Sequence, residues 1–177
     1  MPTESPDVPW AKNHDERESP KPIDSAPDSF AFLFLDFLRS NGIQSGKILE
    51  IEGSNIANMN LFFSNHFEPS VMSPTDKSDL NFDQYGISFY CHSPFDYWPF
   101  EDFHFNFIFD LHTNFSSLDL GLLHLYVENF SRTLVLGGFG AVSFETSKSA
   151  YFLSLFEKHG LILEKKCENE IFILRKV

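Results

Sequence analysis

Three polar residues fall at alternate positions near the middle of the chain: Asp110, His112 and Asn114, in "FDLHTN". A carboxylate and an imidazole pointing the same way can act as an acid/base pair, the carboxylate holding the imidazole tautomer. An ordinary polar strand exit and non-catalytic ligand binding are the other readings of the same residues. A second cluster lies in "GKILEIEGSN", residues 46–55. A β-branched run there ends in Glu50, Glu52 and Gly53, then turns polar at Ser54. Strand, tight loop and helix is how a nucleotide-binding βα unit begins. Cys91 and His92 adjoin, and a buried thiol beside a hydrogen-bonded histidine is the expectation in preference to a nucleophile. "GGFG", residues 137–140, lacks the Lys-Ser/Thr of a phosphate loop. No Gly-x-Ser-x-Gly elbow is present. His104, Asp110 and His112 are not expected to bind a metal, because one strand cannot readily supply all three.

The elements that must position these residues follow from periodicity. Phe30, Leu33, Phe34, Phe37 and Leu38 keep the spacing of an amphipathic helix, capped by Asp28 or Ser29 and closed by Gly42. Lys47–Glu52 reads as a strand, followed by a helix from a Ser54 or Asn55 cap to about Asn65. "EPSVM" and "GISFYCH" (86–92) read as short strands. "FHFNFIFDL" (103–111) is nearly continuous in aromatics, as a central strand covered on both faces would be. Ser116 or Ser117 is the expected cap of the next helix. That helix ends in "RTLVLGGFGAVSF", with a turn at Gly137-Gly138 before a fifth strand. Thr146 is expected to cap a helix that Gly160 stops. "LILEKK" and "EIFILRKV" close the chain, joined by the short turn Cys167–Asn169, so this pair must be antiparallel. Alternating strands and helices predict an α/β fold, a Rossmann-like three-layer sandwich on a mostly parallel seven-stranded sheet with a C-terminal antiparallel hairpin.

Composition bounds the function. The 177 residues suffice for one domain and a tail. Residues 1–28 hold six of the ten prolines and little apolar surface, which reads as a disordered or loosely draped arm, with Trp10 as a docking anchor or a solvated aromatic. Residues 29–177 form the expected domain. The 22 phenylalanines predict an aromatic core. A net charge of −12 disfavours nucleic acid, the basic clusters Lys165-Lys166 and Arg175-Lys176 being small. Two distant cysteines indicate neither a zinc site nor a disulfide framework. No apolar run approaches the ~20 residues of a membrane span, and the N-terminus reads as neither signal nor transit peptide. A cytoplasmic or nuclear protein is the expectation. The aromatic stretch "FDYWPFEDFHF", residues 95–105, and the N-terminal arm are the candidate partner surfaces.

The order of elements with its terminal hairpin resembles the class I S-adenosylmethionine-dependent methyltransferases over residues 28–177. "KILEIEGSN" resembles their first strand and loop, hydrophobic-Leu-Asp-Ile-Gly-x-Gly-x-Gly. "WPFEDFHFNFIFDLHTN" resembles the Leu-Pro-Phe-x-x-x-x-Phe-Asp-x-Ile segment. "SRTLVLGGFGAVSF" resembles the Arg-x-Leu-x-Pro-Gly-Gly turn, and "LFEKHGLILEKK" the last helix and sixth strand. The resemblance implies S-adenosylmethionine as cofactor, with contacts at Glu50, Glu52, Gly53, Ser54, Ser73, His92 and Ser93; Asp110 and His112 are the candidates for substrate handling by their place at the end of the fourth strand. Carried over residue by residue, the family's aspartate becomes Glu50, and its loop glycines fall on Glu52, Ser54 and Ile56. The ribose-binding acid becomes Ser73, with Asp76 three residues late. His92 and Ser93 stand where an acid often meets the adenine. The aspartate of Phe-Asp-x-Ile becomes Asn106, and the proline of Pro-Gly-Gly becomes Leu136. Scaffold motifs persist while ligand-contacting positions change. The resulting expectation is a methyltransferase-like protein with lost or strongly altered cofactor binding, serving as a binding or scaffolding subunit. An active, divergent methyltransferase on an unknown substrate is the alternative.

Overall fold

The structure is a computed structural model that describes residues 26–177 apart from Ser54. The expectations for the arm up to residue 25, Trp10 included, and for Ser54 lie outside the described residues.

Chain order runs α1 (Ser29–Ser40), β1 (Gly46–Ile51), α2 (Ile56–Phe63), β2 (Phe67–Ser73), β3 (Ser88–Cys91), β4 (Phe105–Asp110), α3 (Leu120–Thr133), β5 (Leu134–Ser143), α4 (Ser149–Lys158), β6 (Leu161–Lys166) and β7 (Ile171–Lys176). The strands form one sheet in the order β3-β2-β1-β4-β5-β7-β6. All neighbours are parallel except β7, which lies antiparallel between β5 and β6. This is the Rossmann-like three-layer sandwich expected from the sequence. After β3 the chain crosses to the other side of β1, so that β2 and β4 flank that strand. Such a switch point opens a crevice beyond the C-terminal ends of the strands.

Helices α1 and α2 cover one face of the sheet. Asp28 caps α1, its Oδ1 accepting from Ala31 N at 2.9 Å, while Asn58 of α2 donates to its other oxygen at 2.7 Å. One carboxylate thus ends one helix and ties it to the next. Phe34 packs edge-on to Phe62 and Phe107, and Phe37 edge-on to Phe139. Helices α3 and α4 cover the other face, with Phe130 against Phe156 and Trp98 against Tyr126. Most of the phenylalanines are buried in these two layers, so the surplus in composition is core.

Three boundaries differ from the sequence reading. Neither Ser116 nor Ser117 caps α3; Phe115–Ser117 is a 3-10 turn, and Asp119 caps the helix by accepting from Leu122 N at 2.9 Å. The turn lets Phe115 enter the core, 5.2 Å from Tyr126, before the helix starts. Thr146 opens a second 3-10 turn, Thr146–Lys148, and its N–H donates to the Glu170 carboxylate, so α4 begins only at Ser149. Gly137-Gly138 is not a turn before β5. The strand starts at Leu134 directly from α3, and Gly137, at φ 76°, lies in a bulge where the register against β4 shifts. Glycine supplies that left-handed torsion without steric cost.

Candidate functional site

Strands β1, β2, β3 and β4 end together, and most of the residues singled out in the sequence sit on those ends. Glu50 is the penultimate residue of β1 and only 2% exposed. Its carboxyl lies against Gly53: a Cβ there would stand 2.0 Å from Glu50 Cδ and Oε2. Gly53 is therefore required by close approach. Glu50 Oε2 is buried with no hydrogen-bond partner among the described residues. Burial, reinforced by Asp28 and Asp110 and opposed by Lys77, raises its pKa to about 8, so the carboxyl is mostly protonated at neutral pH. Between Glu50 and Gly53 the chain turns at Glu52, a non-glycine residue at φ 58°, whose N–H donates to Met72 O at 2.7 Å. The left-handed region costs a residue with a Cβ of order 1 kcal/mol, and the shift of glycine from position 52 to 53 leaves that strain in the loop.

A residue the sequence reading passed over closes this loop. Lys77, beyond the end of β2, donates from Nζ to the carbonyls of Glu52 at 3.1 Å and Gly53 at 2.7 Å. It was visible in one respect. Residues 48–131 contain no other lysine or arginine, so an isolated cation in an acidic stretch was the available signal.

The remaining positions are also tied to the chain itself. Ser73 is buried, with Oγ 3.3 Å from Thr75 Oγ1. Asp76 accepts from Ser78 N at 2.9 Å. His92 Nε2 donates to Tyr97 O at 3.0 Å, and Ser93 Oγ accepts from Phe95 N at 3.2 Å. The exposed Cys91 is not the buried thiol considered beside His92; its Sγ lies 3.9 Å from Pro74 O.

Asp110 and His112 do follow each other out of β4, but their side chains do not pair. Asp110 is fully buried: Oδ1 accepts from the backbone N–H of His112 at 3.0 Å and of Thr113 at 2.8 Å, and Oδ2 accepts from the Tyr126 hydroxyl at 2.7 Å. Burial first, then the Asp110 charge, raises the Tyr126 pKa well above the ordinary phenol value, so Tyr126 stays a donor. Asp110 thereby fixes the β4 exit to α3, while the His112 imidazole is left exposed.

The aromatic stretch 95–105 is held down by α3. Trp98 is buried, its ring N–H donating to Pro94 O at 2.9 Å and its backbone N–H to Asn129 Oδ1 at 3.1 Å. Arg132 donates to Phe100 O at 2.7 Å, Trp98 O at 3.0 Å and Asp102 at 2.9 Å, and its guanidinium lies 4.3 Å from the Tyr97 ring centroid. Tyr97 and Phe103 stay largely exposed.

Cavities of about 490 Å³, between α1 and the β6–β7 turn, and about 420 Å³, beside Phe82 and Phe89, are not lined by any of the predicted site residues. Among the described residues no His, Cys, Asp and Glu group is placed to hold a metal, and no helix is long and apolar enough to cross a membrane.

No family model matches the chain, and no curated protein matches it. Solved structures do. A 1,6-didemethyltoxoflavin-N1-methyltransferase of Burkholderia thailandensis, with S-adenosylhomocysteine bound, superposes with a TM-score of 0.67 at 9% identity over 84% of this chain and 77% of that one. The N-methyltransferase NodS of Bradyrhizobium japonicum, also with S-adenosylhomocysteine, gives 0.63 at 14% identity over 91% and 93%. A putative S-adenosylmethionine-dependent methyltransferase of Methanococcus maripaludis gives 0.62 at 13% over 84% and 85%. The chain has the class I S-adenosylmethionine-dependent methyltransferase-like fold. At these identities the likeness establishes the fold alone.

Proposed function

We propose that this chain is a methyltransferase-like protein that has lost or strongly altered S-adenosylmethionine binding and acts as a binding or scaffolding subunit. The observation that carries the reading is the state of the strand ends, where Lys77 takes the loop carbonyls and Ser73, His92 and Ser93 bond within the chain. Tested against these residues, the cofactor does not fit as the chain stands. Its ribose hydroxyls would face a buried serine where an acid is needed, and its ammonium would compete with a resident one. Reopening each internal bond costs about 0.5–1.5 kcal/mol before any ligand contact is made. Tyr97 and Phe103 on the clamped stretch 95–105 are the aromatic groups offered to a protein partner, with the N-terminal arm as the other candidate. We read the setting as cytoplasmic or nuclear.

One observation favours the alternative, an active divergent methyltransferase. Glu50 Oε2 is a buried polar atom at the switch point without a partner among the described residues, and orphaned groups of this kind invite a ligand. In that reading His112, exposed at the end of β4, meets the substrate and the buried Asp110 positions it through its backbone N–H, so Asp110→Asn lowers turnover. Thermal unfolding with S-adenosylmethionine and S-adenosylhomocysteine separates the two. Micromolar affinity would add about 2.7 kcal/mol at a hundredfold ligand excess. The proposal expects no shift at millimolar ligand; a shift of several degrees with either compound overturns it.

A further inference from the structure

Successive carbonyl oxygens, those of Glu52 and Gly53, converge on one nitrogen, Lys77 Nζ, at 3.1 and 2.7 Å. Immediately behind them lies the Glu50 carboxyl, pressed on the Gly53 α-carbon, with one buried oxygen that no described residue satisfies. An ammonium carries three N–H donors and no acceptor. The two carbonyls take two of those donors, while the Glu50 carboxyl backs the loop without bonding to Nζ and acts on the ammonium through charge alone. The loop is shaped around that point: Glu52 occupies the left-handed region, and position 53 has no room for a side chain. Lys77 reaches in from the segment between β2 and the 3-10 turn Ser78–Leu80, so the occupant comes from a different strand connection than the cradle. It is the sole Lys or Arg between Lys47 and Arg132. A lysine serving only solubility would keep its strongly hydrated ammonium in water; this one is half-buried and spends two donors on backbone.

We propose that the loop Glu52–Gly53, backed by Glu50, is a cradle for a primary ammonium group, and that Lys77 is its built-in occupant. A ligand bearing a primary ammonium, such as an α-amino acid or a cofactor carrying one, binds here only when Lys77 is displaced. The inference rests on the reading that the wild-type chain does not hold S-adenosylmethionine, and it assigns the obstruction to one side chain.

The test is chemical rescue. Lys77→Ala deletes the atoms of n-propylammonium. Thermal unfolding of this variant should show a lower Tm than the wild type. Propylammonium chloride at tens of millimolar should restore several degrees, while shifting the wild type by less than about one degree at the same concentration. Tetramethylammonium, which has no N–H, should restore nothing. Lys77→Met fills the same space without donors and should not be rescued. Equal shifts from the two cations, or equal shifts in the Ala and Met variants, would overturn the cradle. A measurement on the folded wild type guards against a variant that fails to fold: acetylation by a soluble active ester, read by mass spectrometry, should be severalfold slower at Lys77 than at the exposed Lys148. Equal rates would overturn the proposal. The two readings fail separately. S-adenosylhomocysteine stabilising the wild type removes the proposed function, whereas a wild type blind to it with no propylammonium rescue removes only the cradle.

Discussion

Glu50 concentrates the electrostatics of the candidate site in one carboxyl. Its pKa is raised from 4.5 to about 8 by burial first, with Asp28 and Asp110 adding to the shift and Lys77 opposing it. A proton is therefore held in the folded state over a pH range where the unfolded chain has released it. Stability tied to this group is fully present below about pH 4.5, declines as pH rises, and is gone above about pH 8. At about 1.4 kcal/mol per unit the effect amounts to a few kcal/mol. Glu50→Gln keeps the shape and removes the titration. The Tm of the variant should thus gain on the wild type between pH 5 and 8.5 and run parallel to it above pH 9. A constant difference across that range would show that Glu50 does not titrate this way. The sequence exposed this carboxylate and its place at the end of β1, since a hydrophobic run ending in an acid is readable. It could not show that Gly53 would press on the carboxyl, because that contact depends on the turn at Glu52.

At the scale of elements, α3 does two jobs, and both are testable. It packs on β5 so closely that a Cβ at Gly140 would stand 2.4 Å from Phe130 Cε1. Phe130 is wholly buried and touches Trp98, Tyr126 and Phe156, so the ring has nowhere to go. Gly140→Ala should destabilise by about 1–3 kcal/mol, seen as a lower midpoint in urea with the slope unchanged. An unaltered midpoint would mean the helix moves freely on the sheet. The second job is the clamp on residues 95–105. Arg132 meets both an exposed carboxylate, Asp102, and two backbone carbonyls. Exposed ion pairs contribute about 0–1 kcal/mol, whereas carbonyls that lose a charged donor cost about 1–3 kcal/mol. Asp102→Ala should therefore be near neutral. Arg132→Ala should lower stability and speed amide exchange across residues 96–103, with β5 still protected. The reverse order of effects would place the clamp in the ion pair. The sequence marked this stretch as aromatic without saying which rings go inward; that was decided by Asn129 and Arg132, thirty-odd positions away.

For the whole molecule, the sheet order predicts the order of opening. Strands β1, β4, β5 and β7 are interior, and β3 and β6 form the edges. Hydrogen exchange should release β3 first, as its four residues are short and partly exposed, and hold β4 and β7 longest. Early exchange of β7 would contradict its place between β5 and β6. The alternation of strands and helices, the closing hairpin and the aromatic core were legible in the sequence, because periodicity, glycine and a short connection act over a few neighbouring residues. The starts of α3 and α4 and the continuous β5 were not, because burial of Phe115, the Thr146–Glu170 bond and the Gly137 bulge each depend on distant partners. The same division holds for the site. By itself the sequence determined which residues stand at the strand ends and that the expected glycines and acid are missing there. Only the tertiary structure decided that Asp110 bonds to the Tyr126 hydroxyl instead of the His112 ring, and that Lys77 closes the loop. Hydrogen bonds between segments 16 to 25 residues apart are set by how the chain folds back on itself, and no local pattern encodes them.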